Sequence, residues 1–156
     1  MSEEEKLVQI LTEKGYTITT AESCTGGLIS ATIVNAPGAS AVLNEAYVTY
    51  ANKSKEKLVN VDKKTLETLG AVSEETARQM AEGAAKASGA DVALSSTGIA
   101  GPGGGTKEKP VGLVYIGCFV KGKTKVLKCN FEGSRREVRE KTVKTAISLA
   151  ISQLDL

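Results

Sequence analysis

The sequence predicts an α/β fold: a three-layer α/β/α domain with a mixed, mainly parallel sheet and a C-terminal hairpin. Two observations carry this expectation. Segments with helical spacing alternate with β-branched runs in the order α-β-α-β-α-α-α-β-β-β-α. The last two strand-like runs are separated only by Lys121-Gly122-Lys123, which reads as a hairpin turn.

Glu3 to Lys14 sets Leu7, Val8, Ile10 and Leu11 on one helical face, and Gly15 stops that helix. Tyr16 to Thr20 is β-branched and strand-like. Thr25 or Ser23 can cap a second helix through Leu28, Ile29, Ala31, Thr32 and Ile33, ended by Asn35-Ala36-Pro37-Gly38. Glu45 to Ala51 reads as a strand, followed by short helices at Ser54–Val59 and Lys63–Leu69, with Asp62 capping the second. Ser73 caps a longer helix, Glu74 to Ala87, whose first-turn Glu74 and Glu75 suit the helix dipole. Asp91 to Ser95 is uninterrupted and apolar, the pattern of a central strand. Gly112 to Val120 and Thr124 to Phe131 form the hairpin. Arg135 to Leu154 closes the fold with Val138, Val143, Ala146, Ile147, Ala150, Ile151 and Leu154 on an inward face. No internal repeat, linker or low-complexity segment is visible. Residues 1–156 are expected to form one domain without tails.

Composition narrows the chemistry. The net charge of +2, with four tyrosines, two phenylalanines and no tryptophan, offers neither a strong basic footprint nor a base-stacking platform for nucleic acid. No run approaches the roughly 18 apolar residues of a membrane helix. The acidic N-terminus, Met1-Ser-Glu-Glu-Glu-Lys, is unlike a signal peptide. Cys24, Cys118 and Cys129 have no paired spacing, so reduced thiols in a cytoplasmic protein are expected. There is no histidine. Ser-His-Asp and Cys-His arrangements are therefore excluded, a catalytic zinc site is disfavoured, and no metal or cofactor is expected. Acid–base work must fall to Lys, Tyr, Asp, Glu or a thiol.

Four segments could carry chemistry. In Thr20-Ala-Glu-Ser23-Cys24-Thr25-Gly26-Gly27, between the first strand and second helix, exposed N–H groups suit an anion or developing oxyanion, and Ser23 could be a nucleophile. Ser23 and Thr25 would serve equally as N-caps, with the glycines packed against the sheet. Cys24 could act only as a thiolate supported by a lysine or the helix dipole, whereas free Cys is usually buried and structural. In Ser95 to Lys107, five glycines and a proline follow a buried strand, where α/β sheets place ligands and backbone N–H groups can hold phosphate. That loop lacks the Gly-Lys-Ser/Thr of a P-loop and the G-x-G-x-x-G of dinucleotide sites. Tyr47, Tyr50, Asn52, Lys53 and Lys55 cluster at a strand end, as a Lys/Tyr proton-transfer set or as a solvated Lys-rich turn. Arg135 in Phe131-Glu-Gly-Ser-Arg135-Arg could grip a phosphate bidentately or lie idle on the surface.

Taken together, these segments resemble the CinA C-terminal domain family, whose enzymes deamidate nicotinamide mononucleotide. The matching stretches, in the family's order, are TTAESCTGG (Thr19 to Gly27), VTYANKSK (Val48 to Lys55), GAVSEETA (Gly70 to Ala77), STGIAGPGGGTKEKPVG (Ser96 to Gly112) and FEGSRREVR (Phe131 to Arg139). Larger members add an N-terminal molybdopterin-binding-like domain, so this chain looks like the stand-alone form. The resemblance implies a catalytic Ser23 with Tyr50 and Lys55, and Thr97 and Arg135 as binding residues. Lys53 departs from the family, standing where an acidic residue is common, which bears on the pKa of Lys55 and on substrate preference.

The implied reaction is hydrolysis of nicotinamide mononucleotide to nicotinate mononucleotide and ammonia, a step of NAD salvage. Ser23 would attack, Lys55 assisted by Tyr50 would accept its proton, and N–H groups around Thr25, Gly26 and Gly27 would hold the oxyanion. Thr97, Gly98, Gly101, Gly103, Gly104 and Arg135 would hold the phosphate. The expected partner is a small phosphorylated nucleoside, with no direct nucleic acid or membrane contact, in a homodimer paired through hairpin edges. The rival readings are a non-catalytic nucleotide sensor, an interaction partner of recombination or competence machinery, and a thiol enzyme using Cys24.

Overall fold

The computed structural model describes residues 1–156, and its centre is a five-stranded mixed sheet. The strands are β1 (Ile18–Glu22), β2 (Tyr47–Val48), β3 (Val92–Gly98), β4 (Leu113–Val120) and β5 (Lys123–Asn130), in the spatial order β2-β1-β3-β4-β5. β1 pairs with β2 and β3 in parallel, while β3–β4 and β4–β5 are antiparallel. The helices are α1 (Glu3–Lys14), α2 (Leu28–Val34), α3 (Asn52–Val59), α4 (Lys63–Thr68), α5 (Glu74–Ser88) and α6 (Arg135–Leu154). The α1, α2 and α6 group covers one sheet face, and α5 with α3 and α4 covers the other. This is the three-layer arrangement expected from the sequence. No helix is long and apolar enough to cross a membrane.

Local chemistry accounts for most boundaries. Ser2 with Glu5, and Ser134 with Glu137, form capping boxes that start α1 and α6. Asp62 and Ser73 cap α4 and α5, and Gly15 ends α1 at φ 70°. The two-residue turn between β4 and β5 holds Lys121 and Gly122 at φ 46° and 89°, matching the twist of the flanking strands.

Several boundaries differ from the sequence reading, among them the start of α3, at Asn52 rather than Ser54. β1 starts later, at Ile18, because the left-handed Gly15 must first turn the chain. β2 is two residues rather than Glu45 to Ala51, since it pairs only with Ala21 and Glu22 at the end of β1. β3 runs on through Ser96, Thr97 and Gly98, because β4 pairs along its whole length. Polar residues at a strand's C-terminal end are unremarkable to propensity, yet here they are carried into the sheet by their neighbour.

The pleat sorts side chains between the layers. Ile18, Val92 and Leu94 join the larger core beneath α1, α2 and α6; Ala21 and Ala93 join the smaller core beneath α5. By the same alternation Glu22 faces α2, and Ser23 faces α3. Gly83 on α5 allows α3 to come close, because a Cβ there would lie 1.8 Å from the carbonyl oxygen of Val59. Gly83→Ala should therefore lower unfolding free energy by about 2–4 kcal/mol in urea titrations, as overpacking against backbone does.

Candidate active site

β1 ends at Glu22, and Ser23 prolongs it by donating its N–H to the Ser96 carbonyl at 2.9 Å. The chain then turns through Gly26 and Gly27, at φ 58° and 102°, into α2. The expected cap of α2 by Ser23 or Thr25 is not what forms. Gly27 occupies the N-cap and no side chain of the turn caps the helix. Instead the buried carboxylate of Glu22 accepts from the N–H groups of Ile29 and Ser30 at 2.8 and 2.9 Å. It also accepts from the hydroxyls of Thr25 at 2.7 Å and Thr20 at 2.9 Å. Thr25 thereby spends its only proton, so its 2.7 Å contact with Ser96 has the Ser96 hydroxyl donating. The outer side of the turn is held by Arg139, which donates to the carbonyls of Cys24 and Thr25 at 3.1 and 2.9 Å.

Relieved of capping, Ser23 faces Lys55. Lys55 lies on the inner side of α3 and is 1% exposed. Its Nζ reaches the Ser23 Oγ at 3.2 Å and the carbonyls of Thr49 and Tyr50 at 2.8 and 3.1 Å. No carboxylate pairs with it. Burial, which disfavours the charged form, lowers its pKa from 10.5 to about 8, with Cys24 pulling weakly the other way. Cys24 itself is buried and its thiol is pushed up to about 11 by desolvation, so it is no ready nucleophile. Lys53 points outward, does not line the cavity, and is not among the groups that shift Lys55.

Ser23 and Lys55 open into a cavity of about 280 Å³. Its far end is Gly98 at the end of β3 and the glycine-rich loop that follows, with Gly101, Gly103 and Gly104, and Arg135 from the start of α6. Arg135 donates to the Gly101 carbonyl at 2.8 Å and to the Tyr50 hydroxyl at 3.1 Å. The backbone N–H groups of Ala100, Gly101, Gly103 and Gly104 have no acceptor within the protein. The loop is tied back by Lys109, which donates to the Leu69 carbonyl at 2.7 Å. Ala71, Val72, Ile99 and Ala100 supply apolar wall. The lining holds two cations, Lys55 and Arg135, and no acidic residue, so the cavity suits an anion.

Of the residues singled out from the sequence, Ser23, Tyr50, Lys55, Thr97, Gly98, Gly101, Gly103, Gly104 and Arg135 line this one cavity. Thr25, Gly26 and Gly27 do not. Thr25 is fully buried against Glu22 and Ser96, the N–H of Gly26 is taken by the Ser23 carbonyl, and Gly27 packs towards Val48. Tyr50 and Thr97 also differ in detail. The Tyr50 carbonyl, not its phenol, meets Ser23 and Lys55, and the Thr97 hydroxyl proton goes to the Ala71 carbonyl at 2.7 Å. Sequence reasoning missed Glu22 and Arg139. The only signals were a carboxylate directly after a β-branched run, and an Arg one helical turn after Arg135.

A CinA C-terminal domain model matches residues 1–154. A protein of Clostridium perfringens named as competence-damage inducible is 51% identical over 152 residues, covering 97% of this chain and 37% of that protein. A like-named protein of Clostridium acetobutylicum is 54% identical over 144 residues, covering 92% of this chain and 35% of that one. The chain thus spans roughly a third of the length of the curated relatives it matches. Among solved structures, the competence/damage inducible protein CihA of Agrobacterium tumefaciens superposes with a TM-score of 0.93 at 42% identity, covering 100% of this chain and 98% of that one. A CinA superfamily protein of Escherichia coli gives a TM-score of 0.93 at 33% identity, over 97% and 88%.

Two outcomes test this geometry. Glu22→Gln turns one carboxylate oxygen into a donor aimed at another donor, and should lower unfolding free energy by about 2–3 kcal/mol in urea titrations. The Lys55 amine binds its proton less well folded (about 8) than unfolded (10.5), so stability should rise with pH across that window. Buried Cys24 and Cys118, pushed up to about 11 and 12, oppose this above pH 9 but are common to both proteins compared. The difference in unfolding free energy between the native protein and Lys55→Met should therefore grow in the native protein's favour between pH 8 and 10.5. A flat difference would mean that the amine is not desolvated.

Proposed function

The chain belongs to the CinA C-terminal domain family, and from that premise we propose that it hydrolyses the carboxamide of nicotinamide mononucleotide to nicotinate mononucleotide and ammonia. One observation carries the reading: the amine of Lys55, buried among neutral oxygens, lies 3.2 Å from the hydroxyl of Ser23. A serine hydroxyl is a weak nucleophile without a base, and an amine brought down to about 8 is a usable base near neutral pH.

In this mechanism Ser23 Oγ bonds to the amide carbon as its proton passes to the Lys55 amine. The ammonium of Lys55 then returns that proton to the departing nitrogen, the C–N bond breaks, and ammonia leaves a nicotinoyl ester on Ser23. Water attacks the ester, Lys55 takes its proton, and the Ser23–acyl bond breaks with Oγ reprotonated. The tetrahedral oxyanion needs a donor. Cys24 lines the cavity and its N–H has no acceptor in the protein, which recommends it over Thr25, Gly26 or Gly27. The phosphate falls to Arg135 and the uncommitted N–H groups of Gly101, Gly103 and Gly104. The Tyr50 phenol, hydrogen-bonded to Arg135, works at this anionic end rather than in proton transfer. Ala71, Val72, Ile99 and Ala100 enclose the pyridine ring.

The purified protein should release ammonia from nicotinamide mononucleotide, with kcat/KM rising with pH through an apparent pKa near that of Lys55, about 8. Ser23→Ala should lower kcat by at least about a thousandfold, and Lys55→Met comparably. Unchanged ammonia release from Ser23→Ala would defeat the mechanism. So would a rate that falls as pH rises from 7 to 8.

A further inference from the structure

We infer that Asn52 determines specificity at this site by pairing with the ribose hydroxyls of a nucleotide ligand, an inference that rests on the reading above.

Asn52 is the first residue of α3, three residues before Lys55. Residues at that spacing share a helical face about one turn apart, which sets Asn52 on the Lys55 side of α3. It lines the cavity, and its side chain makes no hydrogen bond within the protein.

Accounting for the other polar side chains in the lining isolates it. Ser23 and Lys55 are engaged with each other, and Thr97 gives its proton to the Ala71 carbonyl. Arg135 and the Tyr50 phenol are bonded together at the glycine loop. The remaining wall is backbone, glycine or apolar. Asn52 alone is a side-chain amide without a partner in the protein, offering both a donor and an acceptor.

A nucleoside monophosphate presents three polar regions: the base substituent, the phosphate and the sugar diol. The first belongs with Ser23 and Lys55, and the second with Arg135 and the loop amides. The diol lies between them, and each hydroxyl can donate and accept. A side-chain amide answers both functions, while a carboxylate could only accept and an ammonium could only donate. The Tyr50 phenol keeps an uncommitted proton, but it is held by Arg135 at the phosphate end. A site that hydrogen-bonds a hydroxyl discriminates against the analogue lacking it, because its own polar group is then left unpaired.

The test measures binding without turnover. In a Ser23→Ala background, calorimetric titration with nicotinamide mononucleotide and with its 2′-deoxy and 3′-deoxy analogues gives three affinities. At least one deoxy analogue should bind about tenfold more weakly than the parent. Adding Asn52→Ala should weaken the parent by a similar factor and bring all three affinities to within about twofold. In the active protein, Asn52→Ala should raise KM by about tenfold and leave kcat within about threefold. Discrimination that survives Asn52→Ala, or no discrimination with Asn52 present, overturns the inference. Discriminating binding without ammonia release from the active protein would overturn the deamidase reading and leave the assignment of Asn52 standing.

Discussion

The carboxylate of Glu22 is the constraint on which the site is built. A bare carboxylate at 0% exposure would be among the costliest groups to bury. This one receives two hydroxyl and two backbone N–H donors. The N-terminal end of α2 adds favourable partial charge. Once the carboxylate occupies that position, the turn after β1 has no capping to do. Thr25 is pulled inward to meet Glu22 and Ser96, so two adjacent parallel strands are locked side by side at their C-terminal ends. Ser23, one residue on from Glu22, is left on the opposite face of the sheet with a hydroxyl free for chemistry.

That opposite face is where Lys55 is buried. Its three amine protons meet three neutral oxygens, with no counter-charge beside them, and burial strips the amine of water. Its charged form is correspondingly disfavoured, which is the property a general base requires. Lys55 is buried on α3, the helix that packs closely on α5 at Gly83, and that burial lowers its pKa. The carbonyls of Thr49 and Tyr50 that hold the amine belong to the short segment after β2. A longer β2 would draw those residues into the sheet and away from Lys55.

The glycine-loop end of the cavity obeys a different rule. The glycine-rich loop leaves several N–H groups without internal acceptors and relies on side-chain bonds to other segments to hold its shape. Arg135 and Lys109 supply this by donating to carbonyls, of the loop itself and of Leu69. Arg135 thus joins the loop, the segment carrying Tyr50 and the first turn of α6, and still presents a cation to the cavity. Asn52 lines the same cavity as this end and the serine–lysine pair.

By itself, the sequence determined the order of the elements, most of the helix caps, and the identities of Ser23, Lys55, the glycine loop and Arg135 as residues of interest. Caps, turns and amphipathic faces depend on neighbours a few positions apart, so they are legible along the chain. The absence of histidine likewise needed no structure to direct attention to lysine. Only the tertiary structure decided that Glu22 rather than Ser23 or Thr25 caps α2, and that Thr25, Gly26 and Gly27 stand behind the cavity. It also decided that Tyr50 meets Lys55 through its carbonyl, and that Lys55 is desolvated rather than part of a solvated turn. Each of these depends on burial or on contacts between residues distant in the chain. Arg139 meets Cys24 from 115 positions away, and Lys55 meets Ser23 across 32. The side chain's chemistry is written in the sequence. Its dielectric surroundings, and so its protonation state and role, arise only when distant segments exclude water together.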